Sequence, residues 1–189
     1  MDARTQAYRP EDCIADLKLL EESLNEQGFS DAAYSGQLHR VLVLIRTFGF
    51  HLAALDVRQH SAIHESTIAA MFRTAGVAED YASLPESEKQ DLLTKELNNP
   101  RPLLRSTSDL PEQATTMLEV FRLLNTINDI DASAVGSYIV SMTHSRSDIL
   151  EPLLLAKETG WGTYTDEGFQ APLDVVPLCG SVPEAPASF

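Results

Sequence analysis

Phe48-Gly-Phe-His-Leu-Ala-Ala-Leu-Asp-Val-Arg-Gln-His60 is an apolar run that stops at a cluster of polar residues. In an extended chain Phe50, Leu52, Ala54 and Asp56 point one way, and His51, Ala53, Leu55 and Val57 the other. Both faces are apolar up to Asp56. Such a strand is expected to be covered on both sides, as in a parallel sheet wrapped by helices. Asp56, Arg58, Gln59 and His60 then arrive together at its carboxyl end, where α/β sheets and barrels bind ligands.

Upstream of this stretch, Pro10 suits a first helical turn, and Glu11 and Asp12 suit its positive end. Ile14, Leu17, Leu20 and Leu24 then recur at helical spacing until Gly28. A second helix is expected over residues 31–48, with Leu38, Val41, Leu42 and Ile45 inward, before Gly49 releases the chain into the strand. Downstream, Ser61 is a candidate cap for a helix to about Thr74, with Ile63, Ile68, Met71 and Phe72 inward. Ser83 or Ser87 is the candidate cap of the next helix, which buries Leu92, Leu93 and Leu97. The prolines at 100 and 102 break that pattern, and a longer helix begins at Pro111. Val135 to His144 reads as a short buried strand that runs out into hydroxyls and a His. Ser147 and Asp148 start another helix, with Pro152 in its first turns, where a missing N–H costs little. Residues 160–168 read as a loop, and Leu173 to Leu178 as a third strand.

Strand, helices, strand, helix, strand is the order of parallel β/α units with right-handed crossovers, an α/β fold. Three strands are too few to close a barrel. Residues 1–178 form one segment. Residues 179–189, with a glycine, two prolines and no periodicity, read as an unstructured tail.

Among the 189 residues, 28 are acidic and 14 are Lys or Arg, a formal net charge of -14. That balance argues against nucleic acid or an anionic membrane as a partner of the whole surface. It leaves room for one local basic site. No apolar run is long enough to span a bilayer, and the N-terminus lacks the apolar core of a signal peptide. Cys13 and Cys179 have no metal or redox spacing and read as free thiols in a reducing cytoplasm.

Arg58 has two readings from spacing alone: a ligand contact, or an ion pair with Asp56 or another strand-end carboxylate. Asp56 reads as a group that orients an arginine rather than as a base. His60 and His64, four apart, would share a helix face, but no third metal ligand is visible, so solvated or capping histidines are the expectation. His144 and Arg146 follow a strand and face the same end as Arg58. Ser141 and Ser145 have no base partner at triad spacing. Trp161 and Tyr164 read as packing or a subunit contact.

Several blocks together resemble phosphoenolpyruvate carboxylase. Phe48-Gly49 and Asp56-Val-Arg-Gln-His-Ser61 are similar to that family's Phe-Gly and Asp-Ile-Arg-Gln-Glu-Ser. Tyr138-Ile-Val-Ser-Met142, Ser147-Asp-Ile-Leu150 and Leu154-Leu-Ala-Lys-Glu-Thr-Gly160 resemble its Tyr-Val-Ile-Ser-Met, Ser-Asp-Val-Leu and Leu-Leu-Lys-Glu-Ala-Gly. Lys95-Glu-Leu-Asn-Asn-Pro-Arg-Pro-Leu-Leu104 resembles Arg-Glu-Leu-Asn-Ser-Lys-Arg-Pro-Leu-Leu, and Val175-Val-Pro-Leu178 the start of Val-Ala-Pro-Leu-Phe-Glu-Thr-Leu. The match is collinear over roughly residues 8–178.

The resemblance implies an internal slice of an eight-stranded β/α (TIM-like) barrel with many added helices, incomplete as given. It implies a parent enzyme that joins phosphoenolpyruvate to bicarbonate, giving oxaloacetate and phosphate. That parent would use Mg2+ or Mn2+, form a homotetramer, act in the cytoplasm and bind neither nucleic acid nor membrane. Arg58 matches the arginine that contacts the substrate phosphate, and Leu178 a leucine lining the pocket at the methylene carbon. No catalytic residue and no metal ligand carries over. The family's Phe-Glu-Thr stands here as Cys179-Gly180-Ser181, Glu184 is out of register, and the glycine-rich loops and the catalytic histidine lie outside these residues. His60 replaces a glutamate, so its role and that of His144 stay open. The chain by itself is expected to be inactive. The competing expectation is a non-catalytic acidic α/β module for protein interaction.

Overall fold

The computed structural model describes residues 8–50, 53–166 and 168–179. The chain divides into two compact units, 1–54 with 129–134, and 55–128 with 135–189.

The first unit holds helices α1 (Pro10–Glu26), α2 (Ser30–Ser35) and α3 (Gln37–Phe48). Pro10, Glu11 and Asp12 fill the first turn of α1 as expected, and the Asp12 carboxylate accepts the Arg9 amide at 3.0 Å. The single helix expected over 31–48 is in fact two. At Gly36 a Cβ would lie 2.6 Å from the Ala32 carbonyl oxygen, so the chain turns there on a residue that has none. Burial in this unit is slight. Ala33 and Leu42 are buried, whereas Leu19, Leu20, Phe29, Tyr34, Val41, Val43, Leu44 and Phe48 are exposed.

The second unit contains β1 (Leu55–His60), α4 (Ser61–Ala75), α5 (Glu86–Leu97), all but the last two residues of α6 (Glu112–Ile130), β2 (Val135–Thr143), α7 (Ser147–Glu158), β3 (Thr163–Thr165), β4 (Gly168–Gln170) and β5 (Val175–Cys179). Strands β1, β2 and β5 form one parallel sheet in that order. Helices α4 to α6 make the first crossover and α7 belongs to the second, which is the α/β pattern expected from the order of elements.

Among the described residues the sheet is covered on one face. Tyr138 and Val140 of β2 are buried there with Ile68, Met71, Phe72, Phe121, Leu154 and Leu155. Residues alternate along a strand, so Asp56, Arg58 and His60 of β1 stand on the opposite face, and all three are exposed. Among the described residues β1 is therefore covered on one side, not two. It also begins at Leu55, not Phe50, and Asp56, Arg58, Gln59 and His60 make up its carboxyl end, as expected. His51 and Leu52 lie outside the described residues.

Three local expectations differ in the folded chain. The cap of α4 is His60, whose Nδ1 accepts the Ala62 amide at 3.1 Å, and Ser61 is already helical. Pro85 precedes α5, and Ser83 donates to Asp80 instead. Pro152 is the sixth residue of α7, so it removes an interior backbone hydrogen bond.

The expected loop over 160–168 is largely an antiparallel hairpin, β3–β4. At Gly162 (φ +154) a Cβ would meet the Phe169 ring at 2.5 Å, so strand and turn close tightly over a glycine. Trp161 is buried against Phe121, and the Tyr164 hydroxyl donates toward the Leu97 and Asn99 carbonyls, so both aromatics serve packing within the unit. β5 takes in Cys179, one residue of the expected tail; residues 180–189 lie outside the described residues. Among the described residues no helix is long and apolar enough to cross a membrane.

Candidate functional site

Strand register assembles the site. Arg58 pairs with Ile139, which pairs with Val176, and His60 pairs with Ser141, which pairs with Leu178. Parallel partners point to the same face. Arg58, His60, Ile139, Ser141, Val176 and Leu178 thus share the uncovered face, toward the carboxyl ends of three strands. Arg58 and Leu178 are two strands and two residues apart, roughly 12 Å between Cα atoms at ordinary strand spacing. An arginine side chain spans much of that distance, so both can touch one small ligand.

Among the described residues no carboxylate pairs with Arg58. The partner weighed for it, Asp56, is engaged elsewhere: its Oδ1 accepts the Ser137 amide at 2.8 Å. At this point β2 carries one residue more than β1, between the pairs Leu55–Val135 and Val57–Tyr138. Gly136 makes room for the carboxylate, since a Cβ there would lie 2.4 Å from Asp56 Oδ1. Asp56 secures a bulge and orients no arginine.

The other end of β2 has a second irregularity. Ser141 pairs with Leu178 and Thr143 with Cys179, so Met142 is extra. Its φ of 59° makes it the non-glycine residue with positive φ among the described residues. A non-glycine held there costs about 1–3 kcal/mol. The Ser61 hydroxyl donates to the Met142 carbonyl at 2.8 Å, and the Ser141 hydroxyl to the Gln59 carbonyl at 3.1 Å. Both bonds tie the carboxyl end of β2 to the end of β1 and the start of α4.

The loop after β2 is fixed by α7 and α5. Asp148 Oδ2 accepts the His144 and Ser145 amides at 2.7 and 3.0 Å. Glu86 receives the Ser147 amide at 3.0 Å and its hydroxyl at 2.8 Å. Burial pushes the Glu86 carboxyl up, but these Ser147 bonds and one from Gln90 outweigh it and leave it below the usual carboxylate range. His144 and Arg146 stay exposed on this loop, beyond the strand ends. Ser145 bonds to Ser147 and Asp148 and has no base beside it.

His60 and His64 do not form a metal pair. His60 caps α4, while His64 is fully buried with Nε2 2.8 Å from the Tyr138 hydroxyl. Burial lowers the His64 pKa to about 4, so it is neutral in the core. Among the described residues no group of three or more His, Cys, Asp and Glu side chains is placed to hold a metal ion. Met142 and Gly136 escaped the sequence reading, because a strained methionine and a glycine opposite a carboxylate leave no periodic signal.

A face that, among the described residues, is open and carries the unpaired Arg58 guanidinium, with an apolar row beside it and braced strand ends, suits a small anionic ligand. The family model described as phosphoenolpyruvate carboxylase matches residues 1–186. A protein of that name from Rhodothermus marinus is 45% identical over 188 residues, covering 96% of this chain and 20% of the relative. Those from Paraburkholderia xenovorans (40% over 179 residues) and Roseiflexus castenholzii (39% over 150) cover 90% and 79% of this chain, and 18% and 16% of the relatives. The chain thus spans about a fifth or less of the length of the relatives it matches. With the family model covering nearly every residue, the chain belongs to the phosphoenolpyruvate carboxylase family.

Proposed function

We propose that this segment forms part of the substrate site of an enzyme that carboxylates phosphoenolpyruvate with bicarbonate, giving oxaloacetate and phosphate. Arg58 grips the substrate phosphate, and Leu178 lines the pocket at the methylene carbon. The observation that carries the reading is the unpaired Arg58 on the uncovered sheet face it shares with Leu178, in a chain of this family.

In this reading the three parallel strands are part of a β/α barrel and the uncovered face lines its interior. A bicarbonate oxygen attacks phosphorus and the bond from phosphorus to the enol oxygen breaks. The electron pair stays on that oxygen as the enolate. Carboxyphosphate then separates into carbon dioxide and phosphate, and the enolate carbon attacks the carbon dioxide. A guanidinium presents two parallel N–H donors to a phosphoryl group, so Arg58 orients the substrate and offsets charge on the group in transfer. The divalent ion, Mg2+ or Mn2+, and the homotetramer belong to the family-length enzyme; no ligand set for the ion occurs among the described residues. A cytoplasmic location goes with the reading, and suits the free thiols of Cys13 and Cys179.

The test is a graft of this segment in place of the matching stretch of the Rhodothermus marinus relative. The graft is expected to release phosphate only with bicarbonate present. Arg58→Ala should lower kcat/KM on the order of a hundredfold, and Arg58→Lys, which keeps charge but loses the fork, should recover part of it. A folded Arg58→Ala graft as active as its parent would remove the role given to Arg58.

A further inference from the structure

We propose that Met142 is a specificity-determining residue of this site, an apolar wall that keeps water from the enolate carbon; the inference rests on the proposed reaction. Strand alternation sends Tyr138 and Val140 into the core and would send residue 142 after them. Instead Thr143 takes the buried place, with its hydroxyl on the Val140 carbonyl at 2.8 Å, and Met142 is turned out with 43% of its surface exposed. The inversion is made by the extra residue in β2 and by the left-handed backbone of Met142. Glycine meets that conformation without strain. A long thioether stands there instead, and the core does not use it. The Ser61 hydroxyl holds its carbonyl in place. The residue before it, Ser141, lies between His60 and Leu178 in register, so Met142 stands at the strand ends in the next row beyond Leu178.

The chemistry explains why an apolar, adaptable side chain belongs at that rim. The enolate of pyruvate has two fates. Its methylene carbon attacks carbon dioxide, forms a carbon–carbon bond and gives oxaloacetate. Alternatively that carbon takes a proton from water, giving pyruvate and hydroxide, and the phosphate already transferred is wasted. Exclusion of water decides between the two.

The experiment measures the ratio of pyruvate to oxaloacetate formed from phosphoenolpyruvate and bicarbonate in the grafted enzyme. Met142→Gly removes the wall and relieves the backbone. It is expected to raise the ratio about tenfold while thermal stability is unchanged or higher. Met142→Leu should return the ratio to the parent value. Should the glycine variant fail to fold, Met142→Gln, similar in length but polar, carries the same expectation of a raised ratio. An unchanged ratio in a folded, active Met142→Gly or Met142→Gln graft overturns the role of Met142 and leaves the proposed reaction standing. A folded parent graft that consumes no phosphoenolpyruvate overturns both.

Discussion

Asp56 links two strands through one oxygen. Its carboxylate takes the Ser137 amide that the bulge in β2 leaves without a strand partner. Asp56→Ala strands that N–H in a partly covered sheet, at a cost of about 1–3 kcal/mol. Gly136→Ala drives a methyl into the same oxygen and should cost a similar amount by another route, so the two changes together should cost less than their sum. Chemical unfolding of the two single variants and the double variant in the grafted enzyme checks this. The place of Arg58 near the carboxyl end of a strand was legible in the sequence, because it follows an apolar run. The duty of Asp56 was not, because the partner it serves is 81 residues away and is a backbone group.

Helices α5 and α7 are joined by polar contacts as well as by packing. Glu86 of α5 receives both donors of Ser147 at the start of α7, and Tyr81 donates to Glu151 of α7 at 3.0 Å. Lys89 of α5 pairs with Glu65 and lies 5.3 Å from the Tyr81 ring centroid. Glu151 is 1% exposed, and burial raises its pKa to about 8 although the Tyr81 bond pulls the other way. Above pH 4.5 the unfolded chain has released this proton and the folded chain keeps it to about pH 8, so stability falls as pH rises through that window. His64, lowered to about 4, acts oppositely from pH 4 to 6.5, where the unfolded chain binds the extra proton. Between pH 6.5 and 8 the Glu151 effect is no longer opposed by His64, and amounts to up to about 1.4 kcal/mol per pH unit. Hydrogen exchange of α5 and α7 amides in the grafted enzyme should show that slope, and Glu151→Gln should abolish it. Helices with strong periodicity, such as α1, α4 and α7, were legible within a few residues. The break at Gly36 and the hairpin after Trp161 were not, since one depends on a carbonyl four residues back and the other on a ring seven residues ahead.

At the scale of the whole chain, β1 and β5 are the edge strands of the sheet, and among the described residues nothing pairs with their outer edges or covers its second face. Leu55, Val176 and Leu178 are 71%, 38% and 44% exposed on them. Unpaired strand edges beside exposed apolar side chains template association with other chains. The 189-residue chain made alone should therefore aggregate or bind hydrophobic dyes, and should show no bicarbonate-dependent phosphate release; a monodisperse chain with sharp tertiary signals would contradict this. The parallel α/β pattern was legible in the order of elements. The one-sided cover was not, because apolar residues on both faces of a strand look the same whether their partner is near in sequence or far from it. The pairing of β1 with β2 has a further effect during synthesis. The Ser61 to Met142 bond closes a span of 81 residues. At a ribosomal rate of about 5–20 residues per second, β1 emerges roughly 4–16 s before the strand that completes it. Throughout that interval the nascent chain offers a bare strand edge, so a holdase that shields such edges should raise the yield of folded protein more than one that acts after release.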